Sequence, residues 1–314
     1  MDFVGRRNLF FLLSLIIMVF SVISLLTPEG LKTGLEFTGG SSMTLEFEEP
    51  VSQENLRSQF TLLGHPDAII QNAGGGSYFI RTRTLEESKG NEASEKEKII
   101  TSLESTFSSN IEVPDFFSVS PSIASETVRN AVLIVIVAAI AILFYMTWAF
   151  RRVPSPFRYG VSAIVALMHD VLVVMGVFSI AGRFFDLEVN AMFIAGILTI
   201  IGYSVHDTIV VFDRIRENLI RGIGENLGST INVSIQDTLG RSLNTSFTLL
   251  FTILALMLFG GQTIQDFLVV LLIGIIVGTY SSIWIASQIL LVWEVGDIFR
   301  VFNKIPLPFT SRNN

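Results

Sequence analysis

The chain has 314 residues, 50% of them hydrophobic and only 16% charged, with a formal net charge of -7 and a mean hydropathy of +0.59. Soluble domains carry about 25% charged residues, so this composition describes a membrane protein. The absence of cysteine excludes disulfides, thiolate metal sites and cysteine nucleophiles. His65, His169 and His206 are the 3 histidines, too few for a multi-histidine metal centre, and no basic, aromatic-interleaved patch points to nucleic acid.

Residues 1–8 form a short N-terminus with Arg6 and Arg7, and residues 9–26 are almost wholly apolar and long enough to span a bilayer. An Arg pair before an apolar run also fits a signal peptide. The end of the run, SLLTPEG, lacks a small-x-small cleavage pattern, so it reads as an uncleaved first span. Residues 27–129 are the large hydrophilic region. Strand patterns at 42–47, 68–72, 78–83 and 113–119 alternate with helical patterns at 53–63 and 92–107. The order β-α-β-β-α-β predicts a small α+β, ferredoxin-like domain. Ala73-Gly74-Gly75-Gly76-Ser77 is the hairpin turn between the middle strands, since the Lys-Ser/Thr of a phosphate loop is missing.

Residues 130–293 predict five more spans, at about 131–150, 159–181, 189–212, 243–259 and 267–293, with a loop over 213–242 and a tail over 294–314. The fold class is therefore a polytopic α-helical membrane protein with six transmembrane helices and one extramembrane domain after the first. Arginine and lysine set the orientation. Arg6, Arg7, Arg151, Arg152, Arg158, Arg214, Arg216, Arg221, Arg241, Arg300, Lys304 and Arg312 share one side, and the short loops opposite hold only Arg183. Both termini are expected in the cytoplasm and the domain outside.

The fourth span is the most unusual stretch, with His206 and Asp207 amid apolar residues. A charge at that depth is costly, which makes it a functional candidate. Helical spacing puts Gly196, Thr199, Tyr203, His206 and Asp207 on one side, a small and polar stripe suited to other helices. The third span carries His169-Asp170, with Asp170 about 11 residues, or roughly 16 Å, from the start of that span. A buried acid that orients helices without titrating explains Asp170 equally well. Arg241 opens the fifth span, and Thr245, Thr248 and Thr252 continue its helical face. That face reads either as a partner for Asp207 or as a snorkelling arginine above self-bonded threonines. Asp213, Arg214, Arg216 and Glu217 read as an exposed ion-pair cluster. Gly274-x-x-x-Gly278 with Ser281 and Ser282 is a packing face of unknown partner, and Gly260-Gly261 is a tight turn.

Two motifs carry a resemblance. GYSVHDTIVVFDRIREN at residues 202–218 resembles the fourth-helix motif of the SecF proteins in the SecD/SecF family of bacterial protein export. Gly34-Leu35-Glu36-Phe37-Thr38-Gly39-Gly40 resembles that family's G-[LI]-D-F-x-G-G signature, with Glu36 in place of the usual Asp. The resemblance implies one half of a resistance-nodulation-division bundle, the other half being SecD. It implies a non-enzymatic subunit that helps draw preproteins from the SecYEG channel using the proton-motive force. SecYEG and the unfolded preprotein are then partners, with YajC or YidC as further neighbours and lipid around the spans. It implies no cofactor beyond protons as coupling ion, with Asp207 and Arg241 moving them and His206, Asp170 and Asp213 nearby. Gly34, Glu36, Phe37, Gly39, Gly40, Gly202, Arg214, Arg216 and Glu217 carry the motifs. The bacterial cytoplasmic (inner) membrane is the expected location, with a thylakoid-like internal membrane as the alternative. Two other readings compete. An exporter of small molecules or lipids normally has both halves in one chain. An intramembrane aspartyl protease would use Asp170 and Asp207 as a dyad, though its Gly-x-Gly-Asp context is missing.

Overall fold

The structure is a computed structural model that describes residues 2–27, 30–49, 51–88, 93–185, 187–261 and 264–296. It divides into two compact units, residues 33–133 and the remainder. The expected tail cations Arg300, Lys304 and Arg312, and the expected helix start at Glu92, lie outside the described residues.

In the smaller unit, β1 (Gly40–Phe47) is followed by α3 (Gln53–Leu62), β2 (Ile69–Gly74), β3 (Ser77–Thr82), α4 (Glu95–Phe107), β4 (Ile111–Glu112) and β5 (Phe116–Val119). A short α2 (Leu35–Thr38) precedes them, and α1 (Arg7–Leu26) belongs to the other unit. The strand order is β2-β3-β1-β4, with β5 also pairing β1 and every ladder antiparallel. Alternating residues of β1 and β3 meet the apolar faces of both helices, so Met43, Leu45, Leu56, Phe60, Ile80, Ile99 and Leu103 form one buried core. Ser94 and Glu97 close a capping box at the start of α4. Where one final strand is expected at 113–119, the chain makes two short ones, with Pro114 between them.

The paired glycines of the 34–40 segment have a backbone cause. Gly39 has φ of 73° and Gly40 φ of 123°, a region side chains rarely adopt. A Cβ on Gly40 would also lie 2.7 Å from the Thr82 carbonyl oxygen. Only glycine lets the chain turn from α2 into β1 beside β3.

Among the described residues, six helical segments are long and apolar enough to cross a membrane: α1, α5 (Pro121–Ala149, which begins in the smaller unit), α6 (Pro156–Phe185), α7 (Ala191–Ile220), α8 (Leu227–Phe259) and a broken sixth, Gln265–Val295. The sixth consists of α9 (Gln265–Ser281), a π-helical turn (Ser282–Ala286) and α10 (Ser287–Val295). Residues expected to form a loop over 213–242 are mostly helix. α7 runs on to Ile220 and α8 starts at Leu227, capped by the Asn226 side chain with Ser229. The 215–219 and 231–235 stretches keep an apolar face that the charges mask in a hydropathy window, as buried Ile215, Ile231 and Ile235 show.

Packing of α1 inverts the rule of soluble cores. On α1 the buried residues are Ser14, Ser21 and Ser24, while Leu9, Leu12, Leu15, Phe20 and Ile23 face outward. Small residues permit close helix approach where lipid makes apolar contact cheap everywhere. A methyl on Gly176 of α6 would overlap Ser21 of α1. Between α7 and the sixth span the same logic recurs. A Cβ on Gly196 would overlap Val270, one on Gly274 would overlap Ile200, and one on Gly278 would touch Ser204. The partner of the Gly274–Gly278 face is therefore α7.

Candidate functional site

α6, α7, α8 and the sixth span meet around two buried carboxyl groups, Asp170 at 1% and Asp207 at 4% exposure. Asp207 accepts from Ser242 Oγ of α8 at 2.6 Å and from Ser282 Oγ of the π-helical turn at 2.5 Å. Asp170 accepts from Ser204 Oγ of α7 at 2.6 Å and Ser281 Oγ of α9 at 2.7 Å, and its other oxygen faces Nδ1 of His169 at 3.0 Å. Such distances suit a hydroxyl donating to a carboxyl group. Successive residues of a helix point about 100° apart, and this sends Ser281 to α6 and Ser282 to α7.

One turn from Asp207, toward the helix ends joined to the sheet domain in sequence, lies a hydroxyl cluster. Tyr203 Oη is 2.7 Å from Ser246 Oγ and 3.2 Å from Thr279 Oγ1, and Ser246 and Thr279 are 2.6 Å apart. Three helices thus contribute polar groups to one interior column. Its serine and threonine hydroxyls also have helix carbonyls available, as in Ser246 to Ser242 O, Thr279 to Ile275 O and Ser282 to Thr279 O.

Several expected site residues lie elsewhere. Arg241 is exposed on α8 and forms neither an ion pair nor a hydrogen bond with Asp207. Its neighbour Ser242 turns inward instead, 1% exposed. Arg241 lines a groove of about 370 Å³ with Val210, Asp213, Arg214, Glu217, Asp237 and Thr238. Thr245, Thr248 and Thr252 follow it on the exposed face, each donating to a carbonyl of its own helix. The expected single stripe on α7 splits in the same way. Gly196 and Asp207 are buried and Tyr203 reaches Ser246 and Thr279, whereas Thr199 and His206 are exposed, as is Gly202 beside them. The reason is angular: steps of three and four residues cover more than a right angle, and the bundle touches only part of it.

Asp213 is exposed and 2.6 Å from Arg216, while Arg214 reaches Glu217 at 2.7 Å and Asp237 of α8 at 2.7 Å. This is an ion-pair cluster that clips α7 to α8 at the groove. Ser204, Ser242 and Asp237 were not singled out by sequence reasoning, and Ser281 and Ser282 were seen only as packing residues. Serine is common in spans, and nothing local distinguishes a donor from a spacer. The separate serine pairs on Asp170 and Asp207 also leave the carboxyl groups without the shared hydrogen bond of an aspartyl dyad.

Residues 98–296 match the family model described as "Protein export membrane protein SecD/SecF, C-terminal", and residues 23–51 match that described as "SecD/SecF GG Motif". The chain belongs to the SecD/SecF family. It is 45% identical to a protein translocase subunit SecF of Thermobaculum terrenum, over 96% of this chain and 97% of that one. Identity to the SecF of Anaerolinea thermophila is 38%, over 99% and 100% of the two chains. Among solved structures, SecDF from Thermus thermophilus superposes with a TM-score of 0.76 at 32% identity, covering 94% of this chain and 39% of the other. The chain therefore spans well under half of that fused protein. Asp207 lies within the first matched stretch and Gly39-Gly40 within the second.

Proposed function

We propose that the chain is the SecF subunit of a protein translocase, paired with a SecD half, and that a proton bound at Asp207 drives its working cycle. The carrying observation is the buried Asp207 carboxyl group held by serines from two other helices. Its partners are hydroxyls, which donate to a carboxylate and accept from a carboxylic acid with equal ease. Protonation therefore changes which helix carbonyl or carboxyl each serine bonds, and with it the fit between α7, α8 and the sixth span. Coupling such a switch to the exported domain would promote preprotein passage at SecYEG, with YajC or YidC alongside. The charge asymmetry supports a bacterial inner-membrane location with both termini cytoplasmic.

The exposed faces of α7 and α8, with Thr199, Gly202, His206 and Arg241, suit the SecD half. These four residues are small or polar, unlike the large apolar side chains such as Phe247 and Phe251 that α8 also exposes, and the fused relatives supply a second half of similar kind. Arg241 would then meet its counter-charge at that junction.

The test is proton-motive-force-dependent release of a secreted protein from cells carrying wild-type chain or Asp207→Asn, with membrane levels and SecD binding matched. Loss of release is expected. Normal release from Asp207→Asn would demote Asp207 to a structural acid and remove the mechanism.

A further inference from the structure

A second carboxyl group lies beyond Asp207, and the polar atoms around it have an unusual distribution. α6 and the sixth span run antiparallel, pinned at one point by Arg158 Nη1 to Glu294 Oε2 at 2.9 Å and at another by Ser281 to Asp170. Between these pins α6 advances twelve residues and the sixth span thirteen. The extra residue coincides with the π-helical turn, a feature that inserts one residue into a helix and recurs at functional sites.

The stretch between the pins holds a run of buried polar atoms without partners. They are His169 Nε2 and Ser162 Oγ on α6, then Trp284 Nε1, both side-chain atoms of Gln288 and Glu294 Oε1 on the sixth span. Ser162 and Gln288 are 0% and His169 4% exposed. Buried polar atoms are almost always hydrogen-bonded; a two-sided file of unpaired ones is where internal water resides. It extends about 18 Å along α6 from Asp170 to Arg158, at 1.5 Å per residue.

We propose that Asp170, with His169, is a second proton-binding site in series with Asp207, and that the water-holding seam beyond it gives the proton a way through this chain's own bundle. The inference rests on the proton role of Asp207 above. On one flank, a turn from Asp207, lies the Tyr203, Ser246 and Thr279 hydroxyl cluster. Ser282, on Asp207, and Ser281, on Asp170, are adjacent residues of the sixth span, so the two carboxyl groups are held by one stretch of helix. On the far flank His169 Nε2 is buried without a partner. Transfer at each carboxyl group is balanced with water as the carrier between them: an O–H bond breaks at the donor as one forms at the acceptor. No electron moves. The titratable groups around Asp170 are His169 on its own helix, Tyr280 on the sixth span, and Asp207 of α7 through the serines. α1 contributes no titratable group there: among the described residues Tyr280 accepts from the Ser14 hydroxyl at 3.2 Å and donates to the Phe10 carbonyl at 2.9 Å. Arg158, Glu294 and Tyr159 close the far end.

The test uses the complex with SecD in lipid vesicles, read by pH-difference infrared spectroscopy of the carboxylic acid carbonyl band and by proton uptake into the vesicles. Two buried carboxyl signals are expected. Asp170→Asn should remove one and shift the titration of the other, while Ser281→Ala with Ser282→Ala should keep both but uncouple their midpoints. Gln288→Leu touches neither carboxyl group and fills the seam with apolar atoms, so both signals should persist while uptake falls to that of protein-free vesicles. An unchanged spectrum in Asp170→Asn, or unchanged uptake in Gln288→Leu, overturns the proposal. If Asp207→Asn stops export but either of these results is obtained, this inference alone fails; if Asp207→Asn leaves export intact, the proposed function fails first.

Discussion

Gly274→Ala should destabilise the bundle even though the same exchange stabilises an isolated helix by about 1 kcal/mol. The added methyl would overlap the side chain of Ile200. Ile200 is 1% exposed and has no solvent to move into. Overpacking a tight site costs about 1–3 kcal/mol. Ser204 lies one turn along α7, in contact with Gly278 and bonded to Asp170, so relief by sliding α9 would stretch the bonds of a buried carboxyl group. Hydrogen bonds to charged groups contribute about 1.5–3 kcal/mol each, and they resist that slide. Ile200→Ala alone opens a cavity and costs about 2–5 kcal/mol. In that background the Gly274→Ala methyl has room, and the helix propensity gain should return. The sign of the Gly274→Ala effect is therefore expected to invert between the wild-type and Ile200→Ala backgrounds. A double-mutant cycle on unfolding midpoints in mixed detergent micelles, followed by tryptophan fluorescence, reads this directly. Effects equal in the two backgrounds to within about 0.5 kcal/mol would refute the close α7–α9 seam.

Other expectations follow from single contacts. Gly40→Ala forces a side chain onto a φ of 123° against the Thr82 carbonyl, and strain of about 1–3 kcal/mol should speed amide exchange in β1 and β3 while leaving the helices unchanged. Ser242→Ala removes a donor from Asp207 and should lower export without altering SecD binding. Arg241→Ala should weaken SecD binding first, seen in co-purification; the reverse pattern would put Arg241 back at Asp207. His65 is buried beside Phe60, with Nε2 3.2 Å from Glu95 Oε1 but without hydrogen-bond alignment. Burial lowers the His65 pKa from its ordinary 6.5, assisted by Arg83 and opposed by Glu95. For Glu95, burial pushes the carboxyl up, but the Glu86 backbone N–H, His65 and Arg83 together hold it below 4.5. A depressed histidine contributes stability that is complete above 6.5 and lost as pH falls below it through the folded value. Exchange in 60–68 and α4 should therefore accelerate in that window, and His65→Phe should flatten the dependence. A domain equally protected on both sides of 6.5 would count against a neutral, buried His65.

Much of the architecture was readable from local pattern. Spans announce themselves by length and apolarity, and a hairpin by its glycines, because both depend on groups within a few residues of one another. The motif around Asp207 was equally plain, since a carboxyl group within an apolar run is conspicuous wherever the helix later turns. Boundaries were less plain. Helical continuation through 213–220 and 227–242 depends on an apolar face that charged neighbours conceal.

The sequence alone determined six spans, a ferredoxin-like insert, a pair of glycines and two buried acids. It could not determine which side of each helix faces inward. Arg241 and Ser242 are adjacent, yet one lines an open groove and the other holds Asp207. A step of about 100° between neighbours decides between surface and site, and which of the two faces inward is set by how α8 packs against α7 and the sixth span, through contacts such as Ser242 to Asp207 and Ser246 to Thr279. Helix-to-helix contact selected the serines as partners of both carboxyl groups, because only packed neighbours can exclude water and replace its hydrogen bonds.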